Sequence, residues 1–298
     1  MQPFLRILAG PTASGKSALA LTLAKRLNAE ILSADSQQVY RHFDIGTAKP
    51  SSHVLADVPH HLVSVAEPMA QFSAADFQRL ADLAIADMAS RGKPILVVGG
   101  TGLYLRVLLH GIISAPGADR SLRLQLEAEA REQGRDALYQ RLRRADPESA
   151  SAINPGDLVR IIRALEIIEK TGRKASEIRI QHRFETPRYP YAMLVLDPPR
   201  DALYAAIDAR TKAMFAGGLL EEVGSLVKRG LRDAPAMRSV GYVQALAVLE
   251  GRMDVAEAIA AAAKETRHYA KRQLTWFRKE PGAQFVWPAP ADAFSQAE

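Results

Sequence analysis

The segment GPTASGKS at residues 10–17 constrains the fold most, because it matches the phosphate-binding pattern G-x-x-x-x-G-K-[ST]. The mostly apolar run at 4–9 is typical of a short buried strand, and the run at 18–24 is typical of a helix. The loop glycines allow backbone N–H groups and the helix N-terminus to converge on phosphate oxygens. The segment therefore predicts a phosphate site in which Lys16 adds positive charge and the Ser17 hydroxyl can ligate Mg²⁺. Its residues are Gly10, Pro11, Thr12, Ala13, Ser14, Gly15, Lys16 and Ser17.

Two further apolar runs, at 30–34 and 94–98, follow within the first hundred residues. They are short and continuous, and helical segments separate them, which is typical of parallel strands covered by helices on both faces. The carboxyl ends of such strands lie at one edge of the sheet, where ligands bind. We therefore predict an α/β fold with a P-loop NTPase-like parallel sheet flanked by helices.

The pattern changes after the first hundred residues. Residues 121–145 and 157–170 have the apolar spacing of helices, and no strand pattern returns until 191–196. We therefore predict a helical insertion domain at 117–185. The core domain is then made of 1–116 and 186–298, with later helices at about 200–229, 239–250 and 254–279 and a last strand at 284–287.

Composition excludes several classes of function. The chain has 298 residues and no cysteine, so it has no disulfides, thiolate nucleophiles or cysteine-based metal sites. It shows no charged leader and no apolar run of membrane-spanning length. We expect a cytoplasmic monomer that does not enter a membrane.

The formal net charge of +6 is concentrated near the carboxyl end. The basic segment, residues 264–279, contains six Lys or Arg side chains and one acid, whereas acids nearly balance the arginines of the insertion. Such a cationic segment favours a polyanionic partner such as nucleic acid. Tyr269, Trp276 and Phe277 lie among these charges and could stack bases or pack a core; for Trp276 we favour the core.

Two polar side chains follow predicted strands at the same edge of the sheet as the phosphate loop. Asp35 follows the second strand and could bind Mg²⁺, act as a general base, or cap the next turn. The third strand ends in GGTG at 99–102, where glycines allow close backbone approach to a ligand and Thr101 offers a hydroxyl. The absence of an acid at this strand end argues against a motor ATPase.

Arg160 and Arg163 lie on one face of the helix predicted at 157–170, opposite its apolar face. Arginines at these positions are either solvated or in contact with phosphates, and the sequence favours neither interpretation.

Together these segments resemble the tRNA dimethylallyltransferases, also called tRNA isopentenyltransferases. The resemblance is carried, in the family's order and over nearly the whole chain, by GPTASGKS (10–17), DSQQVYR (35–41), GTAKP (46–50), GGTGLY (99–104), RALEI (163–167), SVGY (239–242) and AKRQLTWFR (270–278).

The resemblance implies transfer of a dimethylallyl group from dimethylallyl diphosphate to the exocyclic amine of the adenosine 3′ to the anticodon, in tRNAs reading codons that begin with U. It implies a Mg²⁺ requirement, with Ser17 as a ligand, and an insertion that grips the anticodon arm. Asp35 would be the general base, Thr101 would hydrogen-bond the amine, and Lys16 would stabilise the leaving diphosphate. The implied tRNA contacts are Asp35, Ser36, Gln37, Gln38, Thr101, Arg123, Arg160, Arg163, Arg238, Gly241, Tyr242, Lys271, Arg272, Gln273, Trp276 and Arg278.

Three positions depart from the family's commoner pattern, namely Val159, Val243 and Gln244. They affect the expected grip on tRNA and leave the phosphate chemistry intact. Two other functions share some of these features: a small-molecule or nucleoside kinase, and a non-catalytic RNA-binding switch that senses a nucleotide. A kinase leaves the basic segment unexplained, and a switch leaves Asp35 and Thr101 unexplained.

Overall fold

The computed structural model describes residues 2–112, 115–181, 186–288 and 294. The chain divides into two compact units. The α/β unit contains the residues up to Leu109 and those from Pro187 onward, and the helical unit is 110–186. The helical unit thus begins a few residues before the insertion expected at 117–185.

A single six-stranded sheet forms the centre of the α/β unit, in the order β3-β2-β4-β1-β5-β6. Every described pairing is parallel, which confirms the predicted fold class. The central strand is buried along nearly its whole length, as continuous apolar runs in a covered sheet require. The strands are β1 (Leu5–Ala9), β2 (Glu30–Ser33), β3 (His60–His61), β4 (Ile95–Gly99), β5 (Tyr191–Leu196) and β6 (Ala283–Val286).

The described part of the α/β unit contains eight α-helices. They are α1 (Lys16–Leu27), α2 (Ser52–Asp57), α3 (Ala74–Ser90), α4 (Gly102–His110), α10 (Arg200–Ala216), α11 (Leu219–Lys228), α12 (Tyr242–Leu249) and α13 (Val255–Phe277). The segment predicted as one helix at 200–229 is two helices, because Gly218 between them has a φ of 99°. Asp254 and Glu257 form a capping box that starts α13.

The helical unit consists of α5 (Arg120–Glu132), α6 (Arg135–Ala145), α7 (Pro147–Ala152), α8 (Leu158–Thr171) and α9 (Ala175–Gln181). Its core is a separate apolar cluster that includes Leu126, Leu138, Ile161 and Leu165. Gly134, with a φ of 88°, separates α5 from α6. Among the described residues, no helix of either unit is long and apolar enough to cross a membrane.

Candidate active site

A cavity of about 460 Å³ lies in the α/β unit, at the carboxyl ends of β2 and β4. Its walls come from the phosphate loop, the turn after β2, α10 and α13. Polar and charged side chains in these walls include Thr12, Lys16, Ser17, Asp35, Ser36, Gln37, Gln38, Arg210, Arg238, Tyr269 and Gln273. The cavity therefore occupies the edge of the sheet where parallel strands are expected to hold a ligand.

The phosphate loop has the geometry of an anion site. Gly15, with a φ of 82°, begins α1 without a side-chain cap, so the first N–H groups of the helix remain available to a ligand. Ala13 also has a positive φ, 63°, and such alternation turns successive N–H groups to one side. Only Thr12, Lys16 and Ser17 of the predicted loop residues line the cavity. The Lys16 ammonium lies at its wall and donates a hydrogen bond to the Pro11 carbonyl at 3.1 Å.

Arg210, on α10, is a second cation in the same cavity. Burial lowers the pKa of Lys16 to about 8, with a further contribution from the charge of Arg210; Asp35 opposes the shift. Burial also lowers the pKa of Arg210, and Asp35 again opposes the change. No described residue accepts a hydrogen bond from the Arg210 guanidinium. Two poorly solvated cations with one nearby acid form a site that an anion would stabilise.

Arg210 is a functional candidate that the sequence does not indicate. It stands alone in the run DARTKAMF, outside every segment that carries the family resemblance. Only the packing of α10 beside the phosphate loop gives it a role. Its spacing within the helix contains no signal that could have identified it.

Asp35 combines two of the roles considered for it. Its Oδ1 accepts hydrogen bonds from the backbone N–H groups of Gln37 at 2.8 Å and Gln38 at 3.3 Å, so it caps the turn after β2. The side chain also lines the cavity that contains Lys16 and Arg210. No described residue hydrogen-bonds Oδ2, which leaves one carboxylate oxygen for a substrate.

Thr101 contacts this turn from behind. Its Oγ1 accepts a hydrogen bond from the Ser36 N–H at 3.1 Å, and its own N–H donates to the Ala34 carbonyl at 3.3 Å. Thr101 is not among the described residues that line the cavity. The structure therefore does not place its hydroxyl in contact with a substrate amine in that cavity. In this structure it positions the loop that carries Asp35.

The glycines of GGTG have a different function from the one expected. A Cβ on Gly99 would lie 2.2 Å from the Ala34 carbonyl oxygen, and one on Gly100 would lie 2.3 Å from Gln273 Nε2. A Cβ on Gly102 would lie 2.2 Å from the Trp276 ring. The expectation that they admit a ligand is therefore wrong for Gly100 and Gly102, because protein side chains fill that space.

Three side chains that the resemblance implies as tRNA contacts are held by other parts of the protein. Tyr242 is fully buried: its hydroxyl donates to Glu222 and its ring packs edge-on against Phe43. Gln273 is also buried, and both ends of its carboxamide hydrogen-bond backbone groups. Trp276 is half-buried and packs against the core beside Gly102, with the Arg106 guanidinium 4.4 Å from its ring centroid. Protein contacts thus hold all three side chains, and Gln273 also lines the cavity.

Other expected contacts do reach the cavity or the surface. Ser36, Gln37, Gln38, Arg238 and Gly241 line the cavity. Gln38 also donates to the carbonyls of Thr47 and Ala48, so it supports the loop at 43–49. Of the basic segment, Lys271, Arg272 and Arg278 are exposed, and Arg278 lies 3.7 Å from the Asp197 carboxylate. Arg267 is paired with Asp208.

The predicted arginines of the helical unit have acidic partners. Arg123 and Arg163 both bind the carboxylate of Glu166, whose side chain is fully buried. Burial alone would raise the pKa of Glu166, but hydrogen bonds from Arg123, from the Asp119 N–H and from Arg163 hold it at about 2. Arg160 is exposed and lies 3.3 Å from Asp157. Arg123 is thus neither a solvated helix arginine nor a free cation.

The cavity residues fit a Mg²⁺ ion that is held mainly by a ligand's phosphates. The described residues contain no cluster of three acids or histidines that could hold a metal by themselves. They do offer the Ser17 hydroxyl and the Asp35 carboxylate, both oxygen donors of the kind Mg²⁺ prefers. Because Mg²⁺ commonly completes its coordination with water and substrate phosphates, this donor set is sufficient.

Fold and cavity together define a phosphate-loop α/β protein with an inserted helical unit. The family model described as IPP transferase matches residues 38–280, and the model described as isopentenyl transferase matches residues 3–61. The chain therefore belongs to the tRNA dimethylallyltransferase family, also called the IPP transferases.

Similar proteins cover almost the whole chain. A tRNA dimethylallyltransferase of Myxococcus xanthus is 61% identical over 96% of this chain and 93% of its own length. That of Anaeromyxobacter dehalogenans is 54% identical, over 96% and 95%. The crystal structure of the tRNA isopentenylpyrophosphate transferase of Bacillus halodurans has a TM-score of 0.70 at 40% identity, over 96% of this chain and 90% of that one. A eukaryotic dimethylallyltransferase acting on tRNA has a TM-score of 0.77 at 28% identity, over 92% and 70%.

Proposed function

We propose that this protein transfers the dimethylallyl group of dimethylallyl diphosphate to the exocyclic amine of the adenosine 3′ to the anticodon, in tRNAs that read codons beginning with U. The observation that carries the proposal is the cavity itself. Its phosphate loop and the cations Lys16 and Arg210 lie in the same space as Asp35. A leaving anion and an attacking amine could therefore be handled together.

The reaction forms one bond and breaks one. The amine nitrogen bonds to the first carbon of the dimethylallyl group, while the bond from that carbon to the diphosphate oxygen breaks and its electron pair leaves with the diphosphate. The nitrogen loses a proton. The exocyclic amine of adenine is a weak nucleophile because its lone pair is delocalised into the ring, so a base that takes this proton assists the attack.

Asp35 is the group we assign as that base. Oδ1 is fixed by the N–H groups of Gln37 and Gln38, which orients the carboxylate and leaves Oδ2 for the proton. The hydrogen bond from Ser36 to Thr101 fixes the same turn from its other side. In this arrangement Thr101 positions Asp35, and its side chain also hydrogen-bonds Tyr269, which lines the cavity.

The phosphate loop receives the other end of the substrate. The free N–H groups at the start of α1 and the cations Lys16 and Arg210 would stabilise the charge that develops on the departing diphosphate. Ser17 would hold a Mg²⁺ ion that neutralises part of this charge. Met214, Phe215 and Leu219 line the same cavity and offer an apolar wall for the five-carbon group.

The tRNA must bring one base into this cavity. Taking a base out of its stack costs a few kcal/mol, which contacts elsewhere on the RNA must offset. Gln37, Gln38 and Arg238 at the cavity wall, and the exposed Lys271 and Arg272, are the groups we assign to this purpose. Of the arginines expected to contact tRNA in the helical unit, the exposed Arg160 would grip the anticodon arm, because Arg123 and Arg163 are already paired with Glu166. We expect the protein to act as a cytoplasmic monomer.

A direct assay tests the proposal. The protein is incubated with undermodified tRNA and labelled dimethylallyl diphosphate in the presence of Mg²⁺ and the absence of ATP. Label should enter the RNA, and Asp35→Asn should reduce the rate by about 100-fold or more while leaving tRNA affinity within about twofold. No transfer to RNA, combined with ATP consumption on a small acceptor, would instead identify a kinase.

A further inference from the structure

We propose that Gln273 is a positioning residue, whose carboxamide joins the phosphate loop to the end of β4 and so fixes the distance between the leaving-group cradle and the turn that carries Asp35. The proposal rests on the prenyl transfer proposed above. Neither that chemistry nor the family matches assign this role to Gln273. It differs from the tRNA contact expected for this side chain.

The geometry of the contact is complete at both ends. Gln273 Oε1 accepts a hydrogen bond from the Thr12 N–H at 2.9 Å, and Nε2 donates to the Gly100 carbonyl at 2.9 Å. The side chain is buried, with 7% of its surface exposed. Since one partner is an N–H donor and the other a carbonyl acceptor, only one orientation of the amide satisfies both.

Gly100 provides a second, independent observation. A Cβ at this position would lie 2.3 Å from Gln273 Nε2, closer than any real contact. The φ of Gly100 is not positive, so its backbone conformation does not require glycine. Glycine is needed there for space, and Gln273 occupies that space.

These two hydrogen bonds of Gln273, which we call the joint, link the site of the leaving group to the site of the base. On one side it holds Thr12, four residues before Lys16 in the phosphate loop. On the other it holds Gly100, which is followed by Thr101, the acceptor of the Ser36 N–H beside Asp35. Gln273 therefore connects the loop that receives the diphosphate with the loop that carries the base.

The separation of these two loops matters for alkyl transfer. The nucleophile and the leaving group act on opposite sides of one carbon atom, and small errors in their alignment reduce the rate steeply. Loss of the joint should therefore lower kcat. It should change KM for tRNA little, because the side chain is buried and backbone groups hold both ends of its carboxamide.

Two substitutions separate these expectations. Gln273→Met keeps the approximate length of the side chain and removes both hydrogen bonds. Gln273→Glu keeps an oxygen for the Thr12 N–H but places a second oxygen against the Gly100 carbonyl. Gln71→Met makes the same chemical change at an exposed position before α3 and is the matched control.

We expect kcat to fall at least tenfold in both Gln273 variants, with KM for tRNA within about twofold of the Gln71→Met value. A kcat for Gln273→Met within twofold of the control would overturn the proposal. A raised KM for tRNA with unchanged kcat would instead return Gln273 to the RNA-contact role.

A double-mutant cycle tests the joint at Gly100, which is one of the two residues that Gln273 contacts. Gly100→Ala should lower kcat in the native background by displacing Gln273. In the Gln273→Ala background the same substitution should cost less, because the clash with Nε2 is absent. Fully multiplicative losses would show that Gly100 and Gln273 act independently and would contradict the joint.

Hydrogen exchange gives a readout that does not depend on activity. Amides of residues 10–17 should exchange faster in Gln273→Met than in Gln71→Met, while amides of the helical unit remain unchanged. If wild-type protein transfers no dimethylallyl group but this difference is observed, the proposed function fails and the joint stands. Unchanged exchange at residues 10–17 would contradict the joint whatever the activity.

Discussion

The cations of the cavity and the arginines of the helical unit differ in their partners. In the helical unit, Arg123 and Arg163 share the buried carboxylate of Glu166, and Arg141 is paired with Glu129 and Glu169. In the cavity, Lys16 and Arg210 lie close enough to lower the pKa of Lys16, and Asp35 is the acid that opposes the shift.

This difference separates structural charge from functional charge. A buried acid with two guanidinium partners is already neutralised, and removing either the acid or its arginines would leave an uncompensated charge. Two poorly solvated cations with a single nearby acid are stabilised further when another anion binds. Paired arginines therefore contribute to the fold, whereas Lys16 and Arg210 are placed for an anionic ligand.

The largest expected effect follows from removing the unpaired arginine. Arg210→Gln should lower kcat/KM for dimethylallyl diphosphate by about 100-fold or more, because one donor to the departing charge is lost. The melting temperature should not fall, since the substitution removes a poorly solvated cation that no described residue hydrogen-bonds. Steady-state kinetics and thermal unfolding measure the two quantities.

The matched change in the helical unit should have the opposite result. Arg141→Gln removes a guanidinium that has two acidic partners and a side chain 41% exposed. The free energy of unfolding should fall by less than about 1 kcal/mol and the activity should not change. If Arg210→Gln destabilises the protein as Arg141→Gln does, without loss of activity, the contrast between the two regions does not hold.

The pH dependence of ligand affinity tests the other cavity cation. The pKa of Lys16 lies near 8, below its ordinary value, so the side chain is charged below pH 8 and becomes neutral as the pH rises through that value. An anion binds the charged form. The affinity for an unreactive alkyl diphosphate should therefore be constant from pH 6.5 to about 7.5 and then fall, approaching tenfold per pH unit well above pH 8.

Calorimetric titration at a series of pH values measures this effect. Lys16→Arg keeps a charge throughout the range and should flatten the profile, while Ser17→Ala should keep its shape at lower affinity. A wild-type affinity that is constant up to pH 9.5 would show that Lys16 does not contribute its charge to the bound state.

The sequence predicted the parts of the fold that depend on local patterns. The loop at 10–17, the parallel sheet and the helix that follows β1 were correct, because apolar runs and glycine positions are visible in a single segment. The single helix predicted at 200–229 was wrong, because it is divided at Gly218. The two-residue β3 is too short to leave such a pattern. The long α3 was not predicted, although Phe77, Ala81, Ile85 and Met88 have helical spacing and lie in the core.

The site was predictable only where its residues lie in the loops that carry the resemblance. Lys16 and Asp35 lie at strand ends, so the fold class alone brings them to one edge of the sheet. Arg210 lies within a helix, and Gln273 and Tyr242 turn inward, for reasons that arise from packing between distant segments. The sequence of one segment does not predict which side of a helix a distant loop will contact.

The smallest expected effect concerns the exposed cations of α13. Lys271 and Arg272 are exposed and have no acidic partner among the described residues, whereas Arg232 and Arg252 both bind Glu250. The double change Lys271→Gln with Arg272→Gln should weaken tRNA binding by about threefold to tenfold at low salt. It should also reduce the slope of log affinity against log salt by about 2, one for each lost phosphate contact.

The double change Arg232→Gln with Arg252→Gln removes the same formal charge from paired side chains. It should change the tRNA affinity and the salt slope by no more than about a third of the change expected for Lys271 and Arg272. Equal losses in the two variants would mean that net charge alone attracts the RNA. A loss of tRNA affinity only in the Lys271 and Arg272 variant would mean that cations without an acidic partner bind the phosphates. A cation that an acid already neutralises gains little when a phosphate approaches it.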